Sequence, residues 1–305
     1  MKALVTGGAG FIGSNLVTHL CDQGHKVDVI DDFSSSGRTT IDKRANLIND
    51  SIANVGLLEE LLEGKDVVFH LAATGIIELS IKNPTAYFEN NLMNGIKLLD
   101  AMRKKGVKKI VYSSSSGVYG EPKRVPIKED DVKEPVNPYG AAKYAFEHVL
   151  SSYYHSFGIE SVSLRYYNVY GPGDEQNPVT RAVPKWIKAA LKDESLTLYW
   201  GGKQKKDYVF VEDVVRANLL SAERGKGCSF YNVGSGLGCW MYDLAKILEE
   251  VFGKKLSIEQ AGERSGDPIF LIADISRIKK ELGWEPKIDL KTGLSRTIEY
   301  YRDNH

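Results

Sequence analysis

Thr6-Gly7-Gly8-Ala9-Gly10-Phe11-Ile12-Gly13 follows the short apolar run Lys2-Ala3-Leu4-Val5. Val and Leu without polar alternation suit a strand buried on both faces, and the residues from Phe11 onward have helical periodicity. A strand, a glycine-rich turn and a helix in that order make a cradle for a dinucleotide. Gly7 permits the tight turn, Gly10 lets the backbone approach a pyrophosphate, and Gly13 lets the helix pack closely on the sheet. The N–H groups of the helix that begins near Phe11 then point at the phosphates. The spacing G-x-x-G-x-x-G differs from the commoner G-x-G-x-x-G.

The same rhythm continues through the first half. Strands are expected at residues 3–6, 26–30, 66–70, 109–113 and 161–166, and helices at 11–23, 55–62, 91–104 and 138–157. Such alternation means an α/β fold with a doubly wound parallel (Rossmann-type) sheet. The rhythm breaks after about residue 168, at Gly171-Pro172-Gly173-Asp174. The expected division is a dinucleotide-binding domain over 1–168, joined by returning segments near 208–236, and a smaller α/β lobe over 169–305. That lobe would cover the carboxyl ends of the strands, where open α/β sheets bind ligands.

Composition excludes several function classes. The 305 residues carry 40 basic and 40 acidic side chains, so no net field recruits nucleic acid or membrane. Basic runs such as Arg103-Lys104-Lys105 and 203–206 read as solvated faces. No apolar run approaches a membrane span, and Met1 leads straight into the first strand, leaving no room for a signal peptide. The three cysteines, Cys21, Cys228 and Cys239, have no paired spacing, and the six histidines are scattered. Neither a disulfide nor a metal site is expected, and a reducing cytoplasm fits best.

Asp31 closes the second strand, where a carboxylate accepts hydrogen bonds from an adenosine ribose. Asp32 beside it would repel a 2′-phosphate, so NAD is favoured over NADP, with Arg38 the one residue opposing this. Asp50 ends another apolar segment and either meets the adenine amino group or is a surface turn residue.

Asn137-Pro138 is a helix start, Asn as N-cap and Pro at the first position. Tyr139 and Lys143, four apart, then share one helix face. A free tyrosine is protonated at neutral pH. The Lys143 ammonium and a positively charged nicotinamide would both favour the phenolate, making Tyr139 a general base. The serine run 113–116 places hydroxyls at the carboxyl end of a strand, where one can steady the proton transfer. With the cradle upstream, these residues point to an enzyme that oxidises an alcohol with bound nicotinamide.

These motifs, together with His70-Leu71-Ala72-Ala73, Arg165-Tyr166-Tyr167-Asn168 and Arg264-Ser265-Gly266-Asp267, resemble the extended short-chain dehydrogenase/reductase family over essentially the whole length. Within it the chain is similar to the nucleotide-sugar 4-epimerases of the UDP-galactose 4-epimerase type. The resemblance implies Ser115 as catalytic hydroxyl, Tyr139 as base and Lys143 as its partner. It places Phe11, Ile12, Ser34, Ser35, Ser36, Gly37, Ser51, Leu71, Ala72, Ala73, Thr74, Asn91 and the aromatic Tyr167 at the cofactor. It gives Asn168, Val183, Lys206, Arg264 and Asp267 to the nucleotide sugar. Lys206 stands where the family often has Arg, and it lacks the bidentate fork.

The implied reaction is C4 inversion of a UDP-sugar through a transient 4-keto intermediate, with tightly bound, recycled NAD and a homodimeric enzyme. Related dehydratases carry Asp-Glu just after the catalytic hydroxyl. Here Ser116 and Gly117 stand there, which argues against them. A nucleotide-sugar reductase or dehydratase remains the alternative, and a non-catalytic dinucleotide sensor is a third. Leu271 matches a position that gates the sugar pocket and is intermediate in size. UDP-glucose/UDP-galactose is the first expectation, and UDP-N-acetylhexosamines and UDP-uronates stay open beside it.

Overall fold

The structure, a computed structural model, describes residues 1–34, 41–174, 181–262 and 268–304. Its first half alternates strand and helix: β1 (Lys2–Thr6), α1 (Phe11–Asp22), β2 (Lys26–Asp31), β3 (Asn46–Asn49), α2 (Val55–Leu61) and β4 (Val67–His70). There follow α3 (Ile77–Lys82), α4 (Pro84–Phe88), α5 (Asn94–Lys105), β5 (Lys109–Ser115), α6 (Pro138–Phe157) and β6 (Glu160–Tyr166). With the Cys228–Val233 strand these six form one seven-stranded sheet, in the order β3-β2-β1-β4-β5-β6 and then Cys228–Val233. Every pairing in it is parallel.

The strands are apolar on both faces because both faces are covered. On one side, Leu16, Val17 and Leu20 of α1 pack with Val214, Val215 and Ala217 of the Val211–Arg224 helix over Val5 and Val29. On the other, Leu98, Leu99 and Met102 of α5 and Phe146 and Leu150 of α6 pack over Leu4, Val68 and Ile110. Chain order reverses between β1 and β4. The crevice beyond the carboxyl ends of those two strands is therefore the topological switch point.

The second half builds a smaller lobe. Residues 209 and 210, expected to rejoin the main sheet, end the Lys205–Phe210 strand, which lies in a separate one. It pairs there with Gly238–Trp240, Phe270–Leu271 and Asn168–Tyr170. The lobe has its own core, including Trp186, Phe210, Leu244, Leu294 and Tyr301. Sequence reading missed several elements, β3 and α3 among them. β3 is a short edge strand with no buried position in its pattern. The expected helix at 91–104 is preceded by a π-helical turn over Glu89–Met93.

Candidate active site

Two neighbouring cavities open at the switch point. The first runs from the Gly7–Gly13 turn past Asp31 and Asp50 to Lys143. The second is bounded by Ser115, Asn168 and Leu271. Tyr139 and Arg181 stand on the walls of both.

The three motif glycines differ in what crowds them. A Cβ at Gly13 would lie 2.2 Å from the Gly7 carbonyl and 2.8 Å from the Gly8 Cα, so its absence is needed for α1 to close on the turn. At Gly10 the nearest protein atom would be 3.3 Å away, and Gly10 lines the cavity. That empty position is a cradle a side chain would fill, at the N-terminus of a twelve-residue helix. It fits a diphosphate. The Ala9 N–H donates to Asp31 Oδ2 and the Phe33 N–H to Oδ1, both at 2.8 Å, fixing the carboxylate at the cavity rim. Burial pushes the Asp31 carboxyl up, and those two amide bonds oppose the shift. Asp32 and Ser34 also line this cavity, as do Leu71, Ala72 and Ala73.

Behind that wall, Asn91 does not reach the cavity. From the π-helical turn its Oδ1 accepts from the Thr74 N–H (2.9 Å) and its Nδ2 donates to the Thr74 carbonyl (3.0 Å). Asn91 thus pins the loop after β4, and the neighbouring Asn90 lines the cavity instead. Ser51 caps its own turn, its hydroxyl accepting from the Ala53 N–H. Asp50 is on the wall, held by Ser51 N–H and Asn54 Nδ2.

The catalytic candidates meet where β5 ends against the first turn of α6. Asn137 Oδ1 accepts from the Gly140 N–H at 2.8 Å, with Pro138 at the first helical position. A Cβ on Gly140 would lie 2.5 Å from the Gly117 carbonyl. Glycine there lets the turn after Ser115 approach the helix, which brings the Ser115 hydroxyl close enough to lower the Tyr139 phenol's pKa. Ser115 Oγ also accepts from the Gly117 N–H at 3.1 Å.

Lys143 is 3% exposed and donates from Nζ to the Ser113 carbonyl at 2.7 Å. Burial pushes its pKa down to about 7, and Glu147 opposes that shift. Tyr139 departs from expectation: burial pushes its phenol up, with the Ser115 bond and Arg181 pulling down. In the protein alone, desolvation of the phenolate outweighs the contributions of Ser115 and Arg181.

Below Lys143 lies a buried polar chain. Ser114 Oγ donates to Glu147 Oε1 (2.6 Å), Arg165 grips both Glu147 oxygens (2.9 and 2.7 Å), and Arg165 Nη1 reaches Tyr119 OH (2.8 Å). Tyr119 OH in turn donates to Asn232 Oδ1 at 2.7 Å. Every member is satisfied, as a buried charged network must be.

Other expected residues fall elsewhere. Tyr167 lines the second cavity rather than the first and packs with Val118, Ile127 and Leu271, while Tyr166 borders both. Val183 is 1% exposed, within the core of the smaller lobe, and lines neither cavity. Lys206 is turned away too, its Nζ donating to the Pro268 carbonyl, although Pro268 itself borders the second cavity. Asn168 is on that wall. Thr74 is on neither wall, but Gly75 is on both. Ser35, Ser36, Gly37, Arg38, Arg264 and Asp267 lie outside the described residues. Arg181 and Asn90 had no motif to announce them. Among the described residues no cluster of metal-ligating side chains occurs, and no helix is long and apolar enough to cross a membrane.

Comparison with known proteins agrees with this geometry. The model of the NAD dependent epimerase/dehydratase family matches residues 3–234. UDP-glucose 4-epimerase of Corynebacterium glutamicum is 36% identical, over 96% of this chain and 93% of its own. Among solved structures, UDP-glucose 4-epimerase of Thermotoga maritima with UDP-glucose superposes with a TM-score of 0.95 at 37% identity, covering 100% of this chain and 99% of that one. UDP-N-acetylglucosamine 4-epimerase of Methanobrevibacter ruminantium, in complex with UDP-N-acetylmuramic acid, gives 0.95 at 35% identity, with the same coverage.

Proposed function

The chain belongs to the NAD dependent epimerase/dehydratase family, and we propose that it inverts C4 of a UDP-sugar using NAD that stays bound and is recycled. The observation that carries this is the placement of Tyr139 on the wall common to both cavities, with Ser115 beside it on the second and Lys143 one turn further along the helix. One cavity has the glycine cradle and ribose-type carboxylate of a dinucleotide site. The other has room for a sugar beside the same hydroxyl.

The Gly7–Gly13 turn and Asp31 would hold NAD in the first cavity, where it would supply a reversible hydride acceptor and a positive charge. Tyr139 takes the proton of the sugar 4-hydroxyl and later gives it back. Ser115, on the wall of the second cavity beside Tyr139, supplies a hydroxyl to steady that transfer. Lys143, anchored on the Ser113 carbonyl, supplies positive charge on the same helix face. Between the two transfers the ketone must turn. The second cavity suits this, since its described wall is mostly apolar or hydroxyl-bearing and grips the ring at few points. The nucleotide end is assigned to Asn168 with Arg264 and Asp267.

The dehydratase alternative needs a carboxylate pair beside the sugar. Ser116 and Gly117 line the cavity there, and among its described residues there is no Asp or Glu. Residues 1–168 with 228–233 are assigned to the cofactor, and the remainder mainly to the nucleotide sugar.

The deciding experiment incubates the purified protein, without added cofactor, with UDP-glucose, UDP-N-acetylglucosamine and UDP-glucuronate separately, reading products by NMR. A C4-inverted product supports the assignment. No inversion of any of them, even after NAD is supplied, overturns it for these substrates.

A homodimer and a cytoplasmic site of action complete the proposal. Leu79, Ile81 and Met93 are exposed apolar side chains on elements packed against α6, and a two-fold pairing of α5 and α6 would cover them. Light scattering at twice the chain mass supports the dimer, and a monomer at micromolar concentration contradicts it.

A further inference from the structure

The second cavity carries one charge among its described lining residues, and it is Arg181. The guanidinium is held on two sides. Its Nε donates to Asp174 Oδ2 at 2.9 Å and its Nη2 to Asp174 Oδ1, and the group lies over the Phe11 ring, 5.4 Å from its centre. Asp174 is 1% exposed and Arg181 38%, so the carboxylate is the buried anchor and the arginine reaches out from it. Among the described residues nothing accepts from Nη1. An arginine fixed along one edge by a buried carboxylate presents its remaining donors as a pre-set fork, suited to a second planar anion.

What that anion is follows from where Arg181 stands. It borders the same two cavities as Tyr139 and is close enough to act electrostatically on the phenol. In the proposed reaction C4 of the sugar comes to Tyr139. C6 is borne on C5, the adjoining ring carbon, so a group on C6 falls beside Tyr139 as well. C1, which carries the diphosphate, is across the ring from C4. Bringing that diphosphate to Arg181 would carry C4 away from the base.

Resting on the epimerase assignment above, we propose that Arg181 reads a carboxylate at C6, and that the preferred substrate is a UDP-uronate rather than a UDP-hexose. Because the ring turns between the two hydride transfers, the contact holds one of its two poses. A neutral hydroxymethyl group at C6 can accept from the guanidinium but cannot match its charge or its fork.

The test is a ratio, so that losses shared by both substrates cancel. The kcat/KM for UDP-glucuronate over that for UDP-glucose is measured for the NAD-loaded wild type, Arg181→Lys and Arg181→Gln. Arg181→Lys keeps a cation for buried Asp174, which guards against a variant that merely fails to fold. The wild type should favour the uronate more than tenfold, Arg181→Lys should narrow the ratio, and Arg181→Gln should bring it near or below one. Calorimetric titration with UDP-glucuronate, UDP-glucose and NAD gives a readout independent of turnover, with the wild type binding the uronate more tightly and Arg181→Gln losing that difference. A wild type that prefers UDP-glucose, or a ratio unchanged in both variants, overturns the proposal. So does a fall in NAD affinity at constant ratio, which would give the guanidinium to the cofactor diphosphate. If no sugar is inverted the epimerase assignment fails, while the calorimetric difference still decides the role of Arg181.

Discussion

Lys143 Nζ stands 5.9 Å from the centre of the Tyr139 ring, one helical turn along the same face of α6, with the ammonium anchored on the Ser113 carbonyl. The distance between the lysine and the phenol is therefore fixed by a strand rather than left to a flexible side chain. Removing the Tyr139 hydroxyl leaves that anchor and the cofactor cradle untouched. Tyr139→Phe should lower kcat by about 10²–10⁴-fold, the usual share of a positioned acid–base group, while NAD remains bound. NMR turnover and the absorbance of co-purified cofactor check both halves. Survival of more than a tenth of the activity would mean that the base is another group.

The buried ammonium also sets a pH dependence of stability in the cofactor-free protein. Its pKa is pushed down to about 7 in the fold by burial, against 10.5 for an exposed lysine. Between those values the unfolded chain binds a proton that the folded one does not, so stability rises with pH. Below 7 both states are charged and the cost of burying the charge is fully felt. The wild type should gain on Lys143→Met between pH 7 and 9, by at most roughly 1.4 kcal/mol per unit. Thermal melts of both proteins across that range check it, and a flat or falling difference contradicts it. His70 does not titrate in that window, because burial and Lys143 hold its pKa down to about 3.

The cradle glycines should separate fold from cofactor binding. Gly13→Ala forces a methyl against backbone at 2.2 Å, and backbone cannot swing aside. Overpacking of this kind typically costs about 1–3 kcal/mol or more, lowering Tm by about 2–5 °C or more in a chain of this length. Gly10→Ala meets nothing closer than 3.3 Å and should melt within about 2 °C of the wild type. Its methyl occupies the space where the phosphates approach, so NAD affinity should fall at least about tenfold. Scanning calorimetry and NAD titration of the two variants would show the opposite ranking if the cradle were only a structural turn.

What was legible in the sequence is what is local. The Gly7–Gly13 turn and the Tyr139–Lys143 pair fall within single elements, where helical spacing and strand–turn–helix order decide geometry. Residues 166 and 167 show where that stops. Successive strand residues face opposite sides. Tyr166, the last residue of β6, turns its hydroxyl to Ser113 and Asn218, and Tyr167 drops into the cluster with Val118 and Leu271. A one-residue choice thus decides which of the two tyrosines also reaches the first cavity, and no spacing announces it. Lys206 lies on a strand of the second sheet with its Nζ on the Pro268 carbonyl, a placement no spacing announces either. Arg181 owes its place to Asp174 and Phe11, which are distant in sequence or in loop-rich chain, and Asn91 works through Thr74 from a π-helical turn that no periodicity foretold.

Asp31 ties cofactor choice to the shape of the cradle, because its two oxygens already accept from Ala9 and Phe33. Asp31→Asn keeps the size but offers one oxygen and one NH₂ group, so one of those amides loses its acceptor and any ribose hydroxyl loses a charged one. Hydrogen bonds to charged groups are worth about 1.5–3 kcal/mol, which corresponds to about a 10- to 100-fold loss of NAD affinity. NADP should lose less, since removing the carboxylate also removes its repulsion of the 2′-phosphate, with Asp32 left as the remaining negative charge. The ratio of NAD to NADP affinity should therefore narrow. Calorimetric titration of wild type and Asp31→Asn with each nucleotide measures that ratio directly. An equal loss for both nucleotides would show that Asp31 serves only to hold the turn, and would assign discrimination to Asp32.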